Sequence, residues 1–141
     1  MPVYQIVVDT NVFITALRSQ FGASYKLLSL IDEEIYKLNL SVPLALEYEE
    51  VAKRMIGEIS LSEKEIDDIL DFVIHRSNQW HIFYLWRPQL KDPSDDMVLE
   101  LAVTAGCHYI LTYNLDDFKG SKRFGIEAIT PKAFLEMVGE L

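Results

Sequence analysis

The stretch Val7–Phe13, VVDTNVF, decides how this chain folds. An apolar β-branched run, Ile6-Val7-Val8, stops at Asp9; Thr10 and Asn11 follow, and apolar residues resume at Val12. Such a run suits a strand buried on both faces, and the residues after it suit a helix. Asp9 therefore stands where a buried strand gives way to a helix. Two readings account for a carboxylate there. It can cap a helix that begins at Asn11 or Val12, or it can belong to a metal site.

The same alternation continues along the chain. Residues 3–9 read as the first strand, and 11–19 and 22–34 as two helices broken near Phe21-Gly22. Residues 36–42 read as a second strand. Pro43 suits the first turn of a helix running through 44–59. A further helix covers 62–78, with Ser62 and Glu65 spaced as a capping box. The aromatic run 80–86, WHIFYLW, is a strand candidate. A helix over 93–106 closes at Gly106, 108–112 and 126–130 are strands, and Pro131 opens a terminal helix over 132–139. Strands alternating with helices predict an α/β fold, a central parallel sheet of four to five strands flanked by helices. The whole chain, 1–141, reads as a single domain.

Composition narrows the function. The net charge is −9, with 22 acidic against 13 basic residues, which argues against a general nucleic-acid coat protein. It leaves room for an enzyme acting on nucleic acid, because bound divalent cations cancel negative charge locally. No apolar run is long enough to span a membrane, and the N-terminus lacks a signal-peptide pattern. The single cysteine, Cys107, excludes an internal disulfide and reads as a buried residue in a reducing cytoplasm. There is no glycine-rich phosphate loop, no nucleophile elbow, and no His/Cys cluster with zinc spacing; His75, His81 and His108 are scattered.

In open parallel sheets, sites form outside the carboxyl ends of the strands. Asp9 ends the first strand. Glu47 lies early in the helix after the second. Asp92, Asp95 and Asp96 open the helix at 93–106, and Asn114, Asp116 and Asp117 follow the strand at 108–112. On the helical wheel Val98, Leu101, Ala102 and Ala105 form a buried stripe that includes Asp95, whereas Asp96 falls towards Glu100 and Thr104 on the solvent face. Asp92 suits a helix cap. An inward Asp95 is costly unless something compensates it. Glu47 and Glu49 both flank the stripe formed by Leu44, Tyr48, Val51 and Met55, and periodicity does not choose between them. Converging carboxylates repel one another, and a hard divalent cation held by oxygen ligands relieves the repulsion.

Four segments in order resemble the PIN-domain ribonucleases, which include the VapC-like toxins of toxin–antitoxin pairs. They are VVDTNVFITAL (7–17), SVPLALEYEEV (41–51), KDPSDDMVLELAVTAG (91–106) and ILTYNLDDF (110–118). The resemblance implies a PIN fold and a metal-dependent endoribonuclease that hydrolyses RNA phosphodiester bonds. It implies Mg²⁺ or Mn²⁺ held by Asp9, Glu47 and Asp95, and it selects Glu47 over Glu49. It also implies a homodimer and an antitoxin partner. Many members carry an aspartate where this chain has Asn114, so the fourth position falls to Asn114 or to Asp117. Thr10, Asn11, Asp92 and Thr112 are expected to support the site. Lys91, Lys119, Lys122 and Arg123 are candidate phosphate contacts, and Tyr113 and Phe118 candidate stacking residues, although Phe118 better suits the core. The alternative is a catalytically weakened PIN-fold module that binds RNA or protein, favoured by Asn114 and the net acidity.

Overall fold

The computed structural model describes residues 3–82, 90 and 92–141. Its elements are β1 (Tyr4–Val8), α1 (Thr10–Arg18), α2 (Ala23–Ser29), β2 (Tyr36–Ser41), α3 (Val42–Arg54), α4 (Glu63–Arg76), β3 (Asn78–Trp80), α5 (Pro93–Thr104), β4 (Tyr109–Leu111), β5 (Glu127–Ile129) and α6 (Pro131–Met137). A 3₁₀ segment, Leu115–Phe124, joins β4 to β5. The five strands form one parallel sheet in the order β3-β2-β1-β4-β5. This is the α/β architecture expected from the alternation of strands and helices.

The chain begins in the middle of the sheet, and that explains the residues of β1. Consecutive strand residues face opposite sides. Ile6 and Val7 are both fully buried, so helices cover both faces of the central strand. Because all strands run the same way, their carboxyl ends share one edge. Asp9 leaves that edge after β1, and Thr112 leaves it after β4.

Three helix starts carry the features read in the sequence. Ser62 and Glu65 form a full capping box on α4. Thr130 caps α6 by accepting from the Ala133 amide, and Pro131 takes its first position. Asp92 caps α5, accepting from the Ser94 amide at 2.8 Å, and Gly106 closes that helix at φ +66°.

Several boundaries differ from the sequence expectation. The helix expected over 22–34 ends at Ser29; the chain turns through residues 30–34, where Glu34 takes φ +59°. The helix expected to reach Ile59 ends at Arg54. Met55, Ile56 and Ile59 continue the apolar spacing, but Gly57 adopts φ +99°, and Ile56 and Ile59 form a bridge instead. Among the described residues the third strand is Asn78–Trp80, which shares Trp80 with the expected run 80–86; His81 and Ile82 are outside it, and residues 83–86 lie outside the described residues.

That strand is held by side-chain hydrogen bonds to Asn39 as well as by packing of Trp80 on the core. Buried Asn39 on β2 donates to Gln5 Oε1 at 3.0 Å and accepts from Trp80 Nε1 at 2.8 Å and Asn78 Nδ2 at 3.2 Å. One side chain thus ties β1, β2 and β3 together and fixes their register. Among the described residues, no helix is long and apolar enough to cross a membrane.

Candidate active site at the carboxyl edge of the sheet

Asp9 does both things that its position allows. Its Oδ1 accepts from the Thr10 amide at 2.8 Å, so it caps α1, which begins at Thr10 and not at Asn11 or Val12. Its Oδ2 accepts from the Thr112 hydroxyl at 2.8 Å. The side chain is only 7% exposed, and burial is the main cause that pushes its carboxyl up. The bonds from Thr112 and Thr10 pull it down, while Glu47 and Asp117 push it further up.

Glu47 meets the same corner from α3. The Thr10 hydroxyl donates to Glu47 Oε2. Glu49, its rival on the helical wheel, turns away to Lys53 at 3.8 Å. Tertiary contact therefore separates two glutamates that periodicity could not. Next to Glu47, the wholly buried Tyr48 donates its hydroxyl to the Val8 carbonyl, one residue before Asp9. Its ring stacks on Phe13 of α1 at 4.5 Å between centroids. Sequence periodicity places Tyr48 in the apolar stripe but does not reveal its hydroxyl's bond to β1.

Asp95 comes from the first turn of α5. It is half-buried, and its carboxyl is pushed up to about 7. Burial is the largest cause, followed by the charges of Asp9, Asp92, Asp117 and Glu47. The expected solvent face of α5 needs correction. Asp96 is half-buried and accepts from the Leu90 amide at 2.9 Å. Glu100, one turn on, is also half-buried and is pushed up by burial and by Asp96.

Asn114 and Asp117 stand differently. Both are exposed. Asp117 acts electrostatically on Asp9 and on Asp95. Asn114 precedes the 3₁₀ segment, and its amide N–H donates to the Thr112 hydroxyl at 3.0 Å. Asn11 ties the opposite side of this corner: it donates to Thr112 Oγ1 at 3.5 Å and accepts from the Tyr113 amide at 3.3 Å. Thr112, fully buried, is thus the hub between β1, α1 and the loop after β4. Tyr113 extends that loop to α2, where its hydroxyl meets buried Ser24 at 2.5 Å.

A cleft opens on this edge, lined by Asp92, Asp95, Asp116, Asp117 and Lys119 among others. Phe118 is core, 1% exposed. Cys107 is buried, with its thiol pushed up to about 12 by burial. Lys91 lies outside the described residues.

The donor set suits a hard cation. All its groups are oxygens, and among the described residues no lysine or arginine forms an ion pair with Asp9, Glu47, Asp95 or Asp117. A carboxyl lifted to about 7 marks negative charge without a compensating partner. Among the described residues no three His, Cys, Asp or Glu side chains lie close enough together to hold an ion as they stand. The chemistry of the donors fits Mg²⁺ or Mn²⁺; the present spacing does not yet enclose one.

Residues 5–116 match the sequence profile of the PIN domain. No curated protein matches the chain. PIN domains are generally nucleases and commonly use Mg²⁺ or Mn²⁺. The match spans most of the chain and takes in Asp9, Glu47, Asp95 and Asn114 together with the parallel sheet that carries them, and the chain belongs to the PIN-domain family.

Proposed function

We infer that the chain is a metal-dependent endoribonuclease that hydrolyses RNA phosphodiester bonds. The observation that carries this reading is the set of mutually repelling carboxylates at one sheet edge, with Asp95 lifted to about 7. Asp9, Glu47 and Asp95 would hold Mg²⁺ or Mn²⁺, with Asp117 in preference to Asn114 as the fourth group. When bound, such an ion activates water and offsets charge on the leaving oxygen of a phosphodiester.

The remaining work falls to the chain's own residues. Thr112 and the Thr10 amide fix both oxygens of Asp9, and the Thr10 hydroxyl fixes Glu47. Asn11 and Thr112 hold the loop that delivers Asp117. Asp92 caps α5 and so sets where Asp95 emerges. Such prior positioning matters because small misplacements cost large factors in rate.

The test is RNA cleavage by the full chain with Mg²⁺ or Mn²⁺. EDTA, Asp9→Asn and Asp95→Asn should each abolish it. Cleavage that persists in both variants would rule out this site. The toxin role, an antitoxin partner, a homodimer and a cytoplasmic setting belong to the same proposal; their support is the resemblance of the four segments to VapC-like toxins. A second reading, a PIN-fold module that binds RNA or protein with weakened catalysis, is favoured by the neutral, exposed Asn114. Metal binding without cleavage of a broad transcript pool would favour it.

A further inference from the structure

The 3₁₀ segment carries a charge pattern that the site does not use. Three of the chain's 13 basic residues, Lys119, Lys122 and Arg123, fall within five positions, and residues 118–126 contain no acid. The profile match ends at residue 116, so these cations lie beyond it.

Geometry links the segment to the cleft. In a 3₁₀ helix residues three apart eclipse one another. Lys122 stands one such turn past Lys119, and across the kink at Phe118 Lys119 Nζ lies 3.5 Å from Asp116 Oδ1. The inner row, Phe118 and Ser121, is buried and anchors the segment. Asp116 and Lys119 line the same cleft as Asp95, and Lys122, one turn past Lys119, is exposed. Phe124 follows, 39% exposed, with the Arg123 guanidinium 5.6 Å from its ring centroid.

A polyanion approaching an acidic cleft needs cations at its margin. Acids at the start of a short helix and bases at its end also suit the helix dipole, which asks for no partner. The dipole does not explain why Lys119 lines the cleft beside Asp95 and Asp117. We propose that Lys119 and Lys122 bind consecutive phosphates of single-stranded RNA leading into the cleft. The exposed pair of Lys119 with Asp116 is weak enough to exchange for a phosphate. This rests on the nuclease reading for its substrate.

The test measures binding of a fluorescein-labelled single-stranded RNA decamer to the full chain in EDTA, across a salt series. Each lost phosphate contact lowers the slope of log affinity against log salt by about 0.7 for a single strand. K119Q with K122Q should weaken binding about tenfold at low salt and lower the slope by about 1.4. Lys37→Gln, at the amino end of β2 and the opposite edge of the sheet, should leave both unchanged. An unchanged slope in the double variant, an equal loss in Lys37→Gln, or no binding by the wild-type chain would overturn the proposal. Cleavage by the wild-type chain in Mg²⁺ is measured alongside. Cleavage with an unchanged slope leaves the nuclease reading standing and removes the row. A reduced slope without cleavage does the reverse.

Discussion

The hydroxyl of Thr112 donates to Oδ2 of Asp9 across 103 residues of sequence, at 2.8 Å, inside the protein. The bond joins the ends of β1 and β4 and orients the Asp9 carboxylate at the carboxyl edge of the sheet. Thr112→Val keeps the shape and removes the donor. It leaves a buried carboxylate oxygen without this partner, and it also removes the acceptor for the Asn114 amide. The expected cost is about 1–3 kcal/mol in urea unfolding. Because the Thr112 bond pulls the Asp9 carboxyl down, Mn²⁺ affinity should fall most at acid pH, while Thr112→Ser should retain it. Equal Mn²⁺ affinity in Thr112→Val and wild type would contradict this role.

Asp95 has a carboxyl raised to about 7, so the folded chain holds a proton there that the unfolded chain has released at lower pH. Between its ordinary value near 4 and about 7, the folded state binds more protons, and stability falls as pH rises through that window. The metal-free protein should therefore melt higher at pH 5 than at pH 8 on account of this group. Asp95→Asn mimics the protonated form and should flatten that dependence. Since Asp95 is half-exposed, solvent screening reduces the effect to about 1 kcal/mol, or about 4 °C at neutral pH. Superimposable melting curves for the two proteins in EDTA, from pH 5 to pH 8, would refute it.

The carboxyl edge was legible in the sequence because β1 is a continuous β-branched run that ends in a polar turn. The helical wheel set Asp95 inward and Asp96 outward, yet both are half-buried, because Asp96 turns back to the Leu90 amide, a contact that a single helix does not predict. Glu47 and Glu49 were not separable in that way. What distinguishes them is a threonine 37 residues earlier and a lysine one turn later, and the first of these is a tertiary contact. The start of the third strand was missed for a related reason: Asn78-Gln79 is polar and is tied in by the amide of Asn39, whereas the aromatic run that begins at Trp80 has the stronger strand propensity. The segment Leu115–Phe124 was not read as helical from the sequence; it is a short 3₁₀ stretch kinked at Phe118.

Tyr48 gives a second handle on β1. Its hydroxyl bonds the Val8 carbonyl while its ring stacks on Phe13. Tyr48→Phe preserves the stack and leaves the carbonyl without that donor. Unfolding free energy should drop by about 1–2 kcal/mol. RNA cleavage should fall through kcat more than KM, because the change displaces Asp9 without touching the surface that binds substrate. A variant that loses stability but keeps kcat would make Tyr48 a packing residue alone.

Asn114 and Asp117 can be told apart by charge. Asp117 acts on both Asp9 and Asp95, from the first turn of the 3₁₀ segment. Asn114 is exposed, and the bond it makes to Thr112 comes from its backbone, which any side chain supplies. Asp117→Asn should therefore weaken Mn²⁺ binding about tenfold, the order of effect of removing a group that supports a metal site. It should also lower the apparent pKa of Asp95, because one repelling charge is gone. Asn114→Ala should change neither. Titration of the Asp95 carboxyl by NMR in the metal-free protein measures the second effect without any cleavage assay. An Asp95 titration that moves in Asn114→Ala and stays fixed in Asp117→Asn would reverse the assignment, and the fourth wall would then belong to the amide.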